Sequence, residues 1–156
     1  MDAVRQNGYT IVTQTDRRYP PLLRQISDPP PYLYVYGSLP PATELNIAVV
    51  GSRNATAYGI ATTRQLCMDL ARQQVNIVSG MARGVDTAAH AGAIAAGGVT
   101  VSVLGTGLNR IYPRENTQLF HQIAENGAVV TELALDTGPD AHHFPARNRI
   151  ISGMCH

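Results

Sequence analysis

VNIVSGMARGVDTAAHAGAIAA (residues 75–96) carries the clearest structural pattern in this chain. Its apolar start, Val75–Val78, predicts a short buried strand, and Ser79 and Gly80 then predict a turn. The apolar spacing of Asp86–Ala96 predicts a helix. A strand, a glycine-containing loop and a helix in this order are typical of one repeat of a parallel α/β sheet.

The same order of elements recurs on both sides of residues 75–96. Three further apolar runs predict strands, at residues 47–50, 100–104 and 128–131. Helical periodicity predicts two further helices, over residues 56–74 and 115–125. Apolar strands that alternate with helices predict a Rossmann-like parallel α/β sheet with helices on both faces, over residues 45–156. Right-handed crossovers place the carboxyl ends of these strands at one edge, where such folds bind ligands.

Residues 1–44 differ in composition from the rest and are rich in proline. YLYVY at Tyr32–Tyr36 predicts a strand. Pro20 and Pro21 can open a short helix, because a proline in the first turn loses no needed donor. We therefore expect residues 1–44 to form a proline-rich, largely irregular N-terminal cap or extension of the sheet, beside a main domain over residues 45–156.

The composition is that of a folded globular domain with an unusual choice of base. Of 156 residues, 44% are apolar and 15% are charged, and the formal net charge is +1. All 12 basic residues are arginine. Arginine binds carboxylate or phosphate through a planar fork of donors, which lysine lacks. A GC-rich coding sequence would produce the same bias, so the positions of the arginines decide their meaning.

Cysteine use and hydropathy indicate a cytoplasmic protein. Cys67 and Cys155 lie far apart and in no C-x-x-C pair, so no disulfide framework is predicted. The start of the chain, MDAVRQNGYTIV, lacks the basic and apolar regions of a signal peptide. No apolar run approaches the roughly 20 residues that cross a bilayer, so we expect no contact with a membrane.

Each predicted strand-to-helix loop combines small residues with one arginine. The loops are Gly51–Asn54 with Arg53, Ser79–Asp86 with Arg83, and Gly105–Arg110 with Arg110. Arg114, Arg147 and Arg149 add to these, so six of the twelve arginines lie near one predicted edge. Backbone amides beside glycine and helix N-termini favour anions. Several anion sites side by side suit a polyanion better than a single phosphate.

A purely structural interpretation stays open for each loop taken singly. A glycine after a strand is often only a tight turn. Arg83 can pair with Asp86, which itself looks like a helix N-cap. Glu132 ends the fourth predicted strand and can hold one of the arginines at residues 147–149. The convergence of the loops on one edge is what favours a binding site.

Other chemistries lack their motifs. Arg110 stands where a dinucleotide fingerprint has its third glycine, and the chain has no G-x-x-x-x-G-K-[ST] loop. Neither Asp86 with His90 nor the pair His142-His143 matches zinc-ligand spacing. No serine or cysteine nucleophile has its base in an evident motif. We therefore expect no metal, no cofactor and no enzymatic activity.

Several segments resemble the DNA-processing protein A family, also called Smf, bacterial factors that protect incoming single strands and load the RecA recombinase during natural transformation. The resemblance lies in AVVGSRNATAYG (48–59), IVSGMARGVDTAAHAGAI (77–94), TVSVLGTGLNRIYPRENTQL (100–119), AVVTEL (128–133) and HFPARNRIISGM (143–154). It covers nearly the whole chain. The combination of S-G-x-A-R-G-x-D with F-P-x-R-N-R-I-I is highly specific.

The resemblance implies a Rossmann-like domain that binds single-stranded DNA without sequence preference, forms homodimers and contacts a RecA-type recombinase. Arg53 is then expected to grip phosphate, and Phe144 either stacks a base or packs in the core. Arg147 and Arg149 are expected to complete a positive wall. The full set of expected DNA-binding residues is Gly51, Ser52, Arg53, Ser79, Gly80, Arg83, Gly84, Arg110, Phe144, Arg147, Asn148 and Arg149.

Family members continue beyond the R-N-R-I-I motif with further strands, whereas this chain ends at His156. We expect a domain truncated at its C-terminus, with an exposed sheet edge and an incomplete pocket wall. Two alternative functions stay open. One is a nucleotide phosphoribohydrolase of the lysine-decarboxylase-like group, whose P-G-G-x-G-T-x-x-E loop this chain lacks. The other is a non-catalytic nucleotide sensor that uses one loop.

Overall fold

The computed structural model describes residues 2–156. Its strands are β1 (Tyr9–Thr13), β2 (Tyr32–Gly37), β3 (Asn46–Ala48), β4 (Asn76–Ser79), β5 (Thr100–Val103) and β6 (Gly127–Thr131). Its helices are α1 (Asp2–Gln6), α2 (Ala57–Arg72), α3 (Val85–Ala95), α4 (Thr117–Glu125) and α5 (His143–Gly153), with short 3-10 turns at Leu23–Gln25 and Arg114–Asn116. The strands form one sheet in the order β1-β2-β6-β5-β4-β3.

The four strands predicted after residue 44 are confirmed, and they form the parallel part of the sheet. In β4, Ile77 lies opposite Ile47 of β3 and Thr100 of β5, and β5 pairs with β6 in the same direction. The helix predicted from residue 56 begins one residue later, because the Thr56 hydroxyl accepts a hydrogen bond from the Gly59 amide and caps α2. The predicted Rossmann-like α/β fold is confirmed.

Residues 2–44 contain more regular structure than the sequence predicts for this segment. The predicted strand at Tyr32–Tyr36 is present as β2, which pairs antiparallel with β6 and places Val35 opposite Val130. A second strand, β1, pairs antiparallel with β2. Its sequence, Tyr9–Thr13, has the aromatic and β-branched residues that favour a strand, and Gly8 with a φ of 74° turns the chain into it.

Helices cover both faces of the sheet, because alternate residues of each strand point to opposite sides. On one face, Ile77 packs with Ala89 and Ala93 of α3 and with Cys67 of α2. Farther along the same face, Val129 packs with Phe120 of α4. On the other face, the neighbouring strand residues pack with α5.

The face covered by α5 holds the largest core cluster. Val78, Val101 and Val130 of the parallel strands pack there with Ile150 and Ile151 of α5. The same cluster also includes residues of the N-terminal segment, namely Val12, Tyr19, Leu23, Leu33 and Val35. Both the sheet and this cluster therefore run across the boundary expected at residue 44, and the division into a cap and a main domain stays a prediction.

The far edge of the sheet is strand β3, which pairs with β4 alone within the described range. Leu45 and Val50 flank it and are 44% and 57% exposed, as expected for an open edge. The amide of His156 donates to the Asn46 carbonyl at 3.0 Å, so the last residue lies beside the start of β3. Between residues 2 and 156, no helix has both the length and the apolar character needed to cross a membrane.

Candidate functional site

The loops that follow β3, β4 and β5 form one continuous surface at the carboxyl edge of the parallel strands. The Val85 amide donates to the Ser52 carbonyl at 3.1 Å, which joins the first loop to the second. Nη1 of Arg147 donates to the Gly80 carbonyl at 2.9 Å and to the Val103 carbonyl at 2.7 Å, which joins the second loop to the third. We call the exposed part of this region, formed by Gly51, Arg53, Ala82, Arg83, Tyr112, Phe144 and Asn148, the loop-edge surface.

Two depressions adjoin on the loop-edge surface. A narrow slot of about 20 Å³ lies between Arg83 and Tyr112. A wider cavity of about 320 Å³ is bordered by Gly51 and has Asp86 and Arg147 in its wall. Arg53, Ala82 and Phe144 line both depressions and so form the ridge between them.

Phe144 is half-buried and contacts the side chains of Arg53 and Arg147. The guanidinium carbon of Arg53 lies 5.1 Å from the centre of the Phe144 ring, and that of Arg147 lies 5.6 Å from it. These distances are within the range of cation–π attraction. The ring also packs on Gly105, where a Cβ atom would lie only 2.7 Å from it. The ring thus packs against the loop and also borders the surface, while base stacking by Phe144 stays a prediction.

Arg53 differs in its environment from the other arginines in the predicted site. Arg53 is exposed to solvent, and none of the ion pairs among residues 2–156 includes it. Arg83 is also exposed but pairs with Glu115, not with Asp86 as the sequence suggested. The hydrogen bond from Arg83 holds the pKa of Glu115 below its usual value. Arg53 is therefore an exposed cation of the loop-edge surface that has no acidic partner within residues 2–156.

The sequence predicts that Arg147 is part of a positive wall, but in the structure Arg147 does not lie on the surface. It is only 6% exposed, and its guanidinium group lies against Gly80, where a Cβ atom would be 2.5 Å from it. Desolvation lowers the pKa of Arg147, while the charge of Asp86 raises it. Its bonds to the carbonyls of Gly80 and of Val103, the last residue of β5, make it an anchor beneath the surface. Asn148, which is exposed, accepts from Nε of Arg147 at 3.2 Å.

Arg149 points away from the loop-edge surface. Its two terminal nitrogens donate to the two carboxylate oxygens of Glu132 at 2.6 and 2.7 Å, and Nε donates to the Asp28 carbonyl at 3.1 Å. The interpretation that Glu132 holds an arginine of the last motif is therefore confirmed. Arg149 joins α5 to Glu132, which follows β6, and to Asp28 of the N-terminal segment, so its role in this structure is to hold elements together.

The remaining predicted residues occupy different positions around the surface. Ser52 is exposed and its hydroxyl accepts from the Asn54 amide at 3.1 Å. Gly84 has a φ of 79° and packs so closely on Ser52 that a side chain would collide with its carbonyl. Ser79 is fully buried at the end of β4. Arg110 lies outside both depressions and donates to the Asp136 carbonyl at 3.3 Å.

Asp86 and Tyr112 are the residues of this region that the sequence analysis did not assign to the site. Asp86 is not the N-cap of α3, because Gly84 occupies that position and Asp86 lies in the first turn. Its carboxylate accepts from the Gly80 amide at 3.1 Å and is 3% exposed. The S-G-x-A-R-G-x-D spacing contains the signal for this contact, since the acid follows the glycine by six positions. Tyr112 lies 5.7 Å from Phe144, ring centre to ring centre.

The described part of the chain contains no cluster of metal ligands. No group of three or more histidine, cysteine, aspartate or glutamate residues between positions 2 and 156 could hold a metal ion. His142 pairs with Asp140 at 2.6 Å, and His90 is fully buried on the inner side of α3. Both histidines therefore have contacts within the fold.

Comparisons with known proteins agree on one family. The family model for DNA recombination-mediator protein A matches residues 10–156. Protein Smf of Escherichia coli (strain K12) is 42% identical over 152 residues, which are 97% of this chain and 41% of that protein. DNA processing protein DprA of Bacillus subtilis (strain 168) is 39% identical over 153 residues, 97% of this chain and 52% of that protein. The chain thus spans about half or less of the length of these relatives.

Two solved structures have the same fold. The X-ray structure of DNA processing protein A from Streptococcus pneumoniae gives a TM-score of 0.85 at 36% identity and covers 99% of this chain and 56% of that one. A structure describing the single-stranded DNA binding mode of DNA processing protein A from Helicobacter pylori gives a TM-score of 0.81 at 31% identity. It covers 94% of this chain and 66% of that one.

Proposed function

Because the chain belongs to the DNA recombination-mediator protein A family, we propose that it binds single-stranded DNA on the loop-edge surface, without sequence preference. The observation that carries this proposal is the stacking of an exposed, unpaired Arg53 on Phe144 at the meeting point of two depressions. The relative from Helicobacter pylori, which is described as binding single-stranded DNA, supports the choice of ligand.

The contacts proposed for the strand follow from the chemistry of the surface. A phosphate group accepts from the planar fork of Arg53, which Phe144 holds in place. A nucleobase stacks on the outer face of that guanidinium group or on Tyr112, because aromatic rings and guanidinium planes both accept any base. Neither contact reads the edge of a base, and this is why we propose binding without sequence preference.

We further propose that the chain works by binding and not by catalysis. The ionisable groups nearest the floor of the surface are already committed within the fold. Asp86 accepts from a loop amide, and the Nδ1 atom of His90 lies 2.7 Å from the Thr100 hydroxyl in a fully buried position. Neither has the access to a reacting atom that acid–base catalysis requires.

Membership of the family also supports a more specific biological role, which is part of the same proposal. We propose that the protein protects incoming single strands in the cytoplasm during transformation, loads a RecA-type recombinase on them and acts as a homodimer. The name of the matching family, a recombination mediator, supports the recombinase as partner. A strand-exchange reaction in which the purified protein shortens the lag of a RecA-type recombinase on coated single strands would support this role, and an unchanged lag would contradict it.

The test of DNA binding is the fluorescence anisotropy of a labelled, mixed-sequence single strand. We expect Arg53→Ala to weaken binding about tenfold or more, because a charge-assisted contact to phosphate is lost. Between about 50 mM and about 200 mM salt, the slope of log affinity against log salt should become shallower by about 0.7 in this variant. The matched control is Arg72→Ala, at the end of α2, whose side chain is exposed and pairs with Asp69.

The control defines what would contradict the proposal. The C-terminus of α2 precedes β4, so Arg72 lies at the opposite edge of the parallel strands, and its loss should change affinity less than about twofold. Equal losses in the two variants would mean a diffuse charge effect. Unchanged binding in Arg53→Ala would mean that the loop-edge surface is not the DNA site.

A further inference from the structure

We infer that Asp86 is a specificity-determining residue. Its carboxylate occupies the position at which a free phosphate would otherwise bind. The loop-edge surface therefore binds a nucleic-acid strand and not a mononucleotide. The selectivity for a strand rests on the proposed function. The occupation of the phosphate position by the carboxylate does not, and it can be tested without DNA.

The position is defined by the loops after β3 and β4. In α/β folds of this type, an anion binds where glycine-containing loops leave the carboxyl ends of the strands and backbone amides converge. Here the Gly80 amide donates to Oδ2 of Asp86 at 3.1 Å. Burial raises the pKa of Asp86, and the charge of Arg147 together with backbone hydrogen bonds opposes that rise. The Gly80 amide of the loop after β4 therefore faces this carboxylate, and Gly51 of the loop after β3 borders the same cavity.

The start of α3 offers no substitute position. The Val85 amide donates to the Ser52 carbonyl at 3.1 Å, and the Thr87 amide donates to the Ala82 carbonyl at 3.1 Å. The Thr87 hydroxyl donates to the same carbonyl at 2.7 Å. A helix N-terminus binds phosphate through amides that point outward, and these amides are used within the chain.

Two further features mark the position as suited to an anion. The charge of Arg147, which is 94% buried, lowers the pKa of Asp86 and so stabilises a negative charge there. The cavity of about 320 Å³ opens beside the carboxylate, with Gly51 and Arg147 in its wall. Removing the Asp86 side chain would open the Gly80 amide and the buried cation to this cavity, and would leave a site for a phosphate ion.

The experiment compares wild type with Asp86→Ala and Asp86→Asn, using inorganic phosphate as the probe. Thermal unfolding is followed by circular dichroism in phosphate and in sodium chloride of equal ionic strength. We expect phosphate to raise the Tm of Asp86→Ala by about 3 °C or more beyond its effect on wild type, because an ion that binds only the folded state stabilises it. Asp86→Asn, whose amide still fills the position, should respond as wild type does.

Each outcome decides the question. The inference is overturned if phosphate stabilises Asp86→Ala no more than it stabilises wild type. It is also overturned if Asp86→Ala remains unfolded in phosphate. An equal gain in Asp86→Asn also overturns it, because lost charge and not a vacated position would then be the cause. Adenosine monophosphate should displace a labelled strand from Asp86→Ala and not from wild type. Since the thermal measurement uses no DNA, its result stands apart from the outcome for Arg53→Ala.

Discussion

Glu115 and Arg83 face each other beside the slot, and both side chains are more than half exposed to solvent. An exposed ion pair of this kind contributes little to folding, since water screens it and two long side chains lose freedom. Its effect on binding is larger in principle, because a phosphate group must compete with Glu115 for the same donors. Arg53, which has no acidic partner among residues 2–156, meets no such competition.

Glu115→Gln is expected to strengthen binding of a single strand. Removing the carboxylate frees the Arg83 guanidinium group, and we expect a gain in affinity of about two- to fivefold, with a steeper dependence on salt. Fluorescence anisotropy measures both quantities. Asp69→Asn, which releases Arg72 at the opposite edge, should leave both unchanged. Weaker binding by Glu115→Gln would show that the ion pair orders the slot for the strand.

At the scale of the element, α3 and β5 are joined by a buried hydrogen-bond chain. The Thr100 hydroxyl donates to the Ile77 carbonyl at 2.8 Å, so its oxygen accepts from Nδ1 of His90 at 2.7 Å. Nε2 of His90 is buried without a partner among the described residues, which fits an unprotonated nitrogen. Burial, with a smaller effect of the Arg147 charge, lowers the pKa of His90 to about 3. The folded protein therefore holds this histidine neutral.

The stability of the protein is expected to fall as the pH falls below about 6.5, the pKa of an unperturbed histidine. Between that value and about 3, the unfolded chain binds one proton more than the folded protein does, so acid favours unfolding. The expected loss from this one group is about 1.4 kcal/mol per pH unit. Urea unfolding at several pH values between about 6.5 and about 4.5 measures it.

His90→Asn provides the control for this pH dependence. Its amide nitrogen can reach the Thr100 hydroxyl but does not titrate, so the variant should be less stable near neutrality and lose less stability in acid. Asp16, with a pKa lowered to about 2 by Arg18, contributes only at lower pH, near and below the usual pKa of an aspartate. Parallel curves for wild type and variant would mean that His90 is not the titrating group.

At the scale of the whole molecule, the N-terminal segment and the parallel strands share one core. Strand β2 pairs with β6, and Leu33 and Val35 are buried in the cluster that contains Val130 and Ile150. The Tyr19 hydroxyl donates to the Pro30 carbonyl at 2.6 Å, and burial raises the pKa of Tyr19 to about 12. The shared sheet and the shared cluster predict a single cooperative unit, in which the segment before residue 44 does not unfold alone.

Leu33→Ala tests this expectation. Leu33 is fully buried in β2, and we expect its truncation to lower the free energy of unfolding by about 2–5 kcal/mol. Urea unfolding followed by circular dichroism should keep a single transition, and hydrogen exchange should become faster in β4 and β5 as well as in β2. Faster exchange confined to residues 2–44 would instead support a separate N-terminal cap.

The sequence by itself determined the four parallel strands, the side of the sheet on which their loops lie and the family of the chain. Apolar runs, helical periodicity and glycines after strands are local patterns in the sequence. Because the crossovers are right-handed, the loops that follow these strands lie at one edge of the sheet. Arg53 and Arg83 could be placed together on this basis, and Phe144 joined them through the family resemblance, although their DNA contacts stay predictions.

Only the tertiary structure decided which of the arginines face solvent and what each one contacts. Arg83 meets a partner 32 positions away and Arg149 one that is 121 positions away, while Arg147 is buried against loops far from it in the chain. The pairing of β2 with β6 was decided at the same level. Burial and charge pairing depend on distances in space, which no spacing along the chain specifies. This is why the sequence predicts a helix cap at Asp86, whereas in the structure its carboxylate accepts from the Gly80 amide.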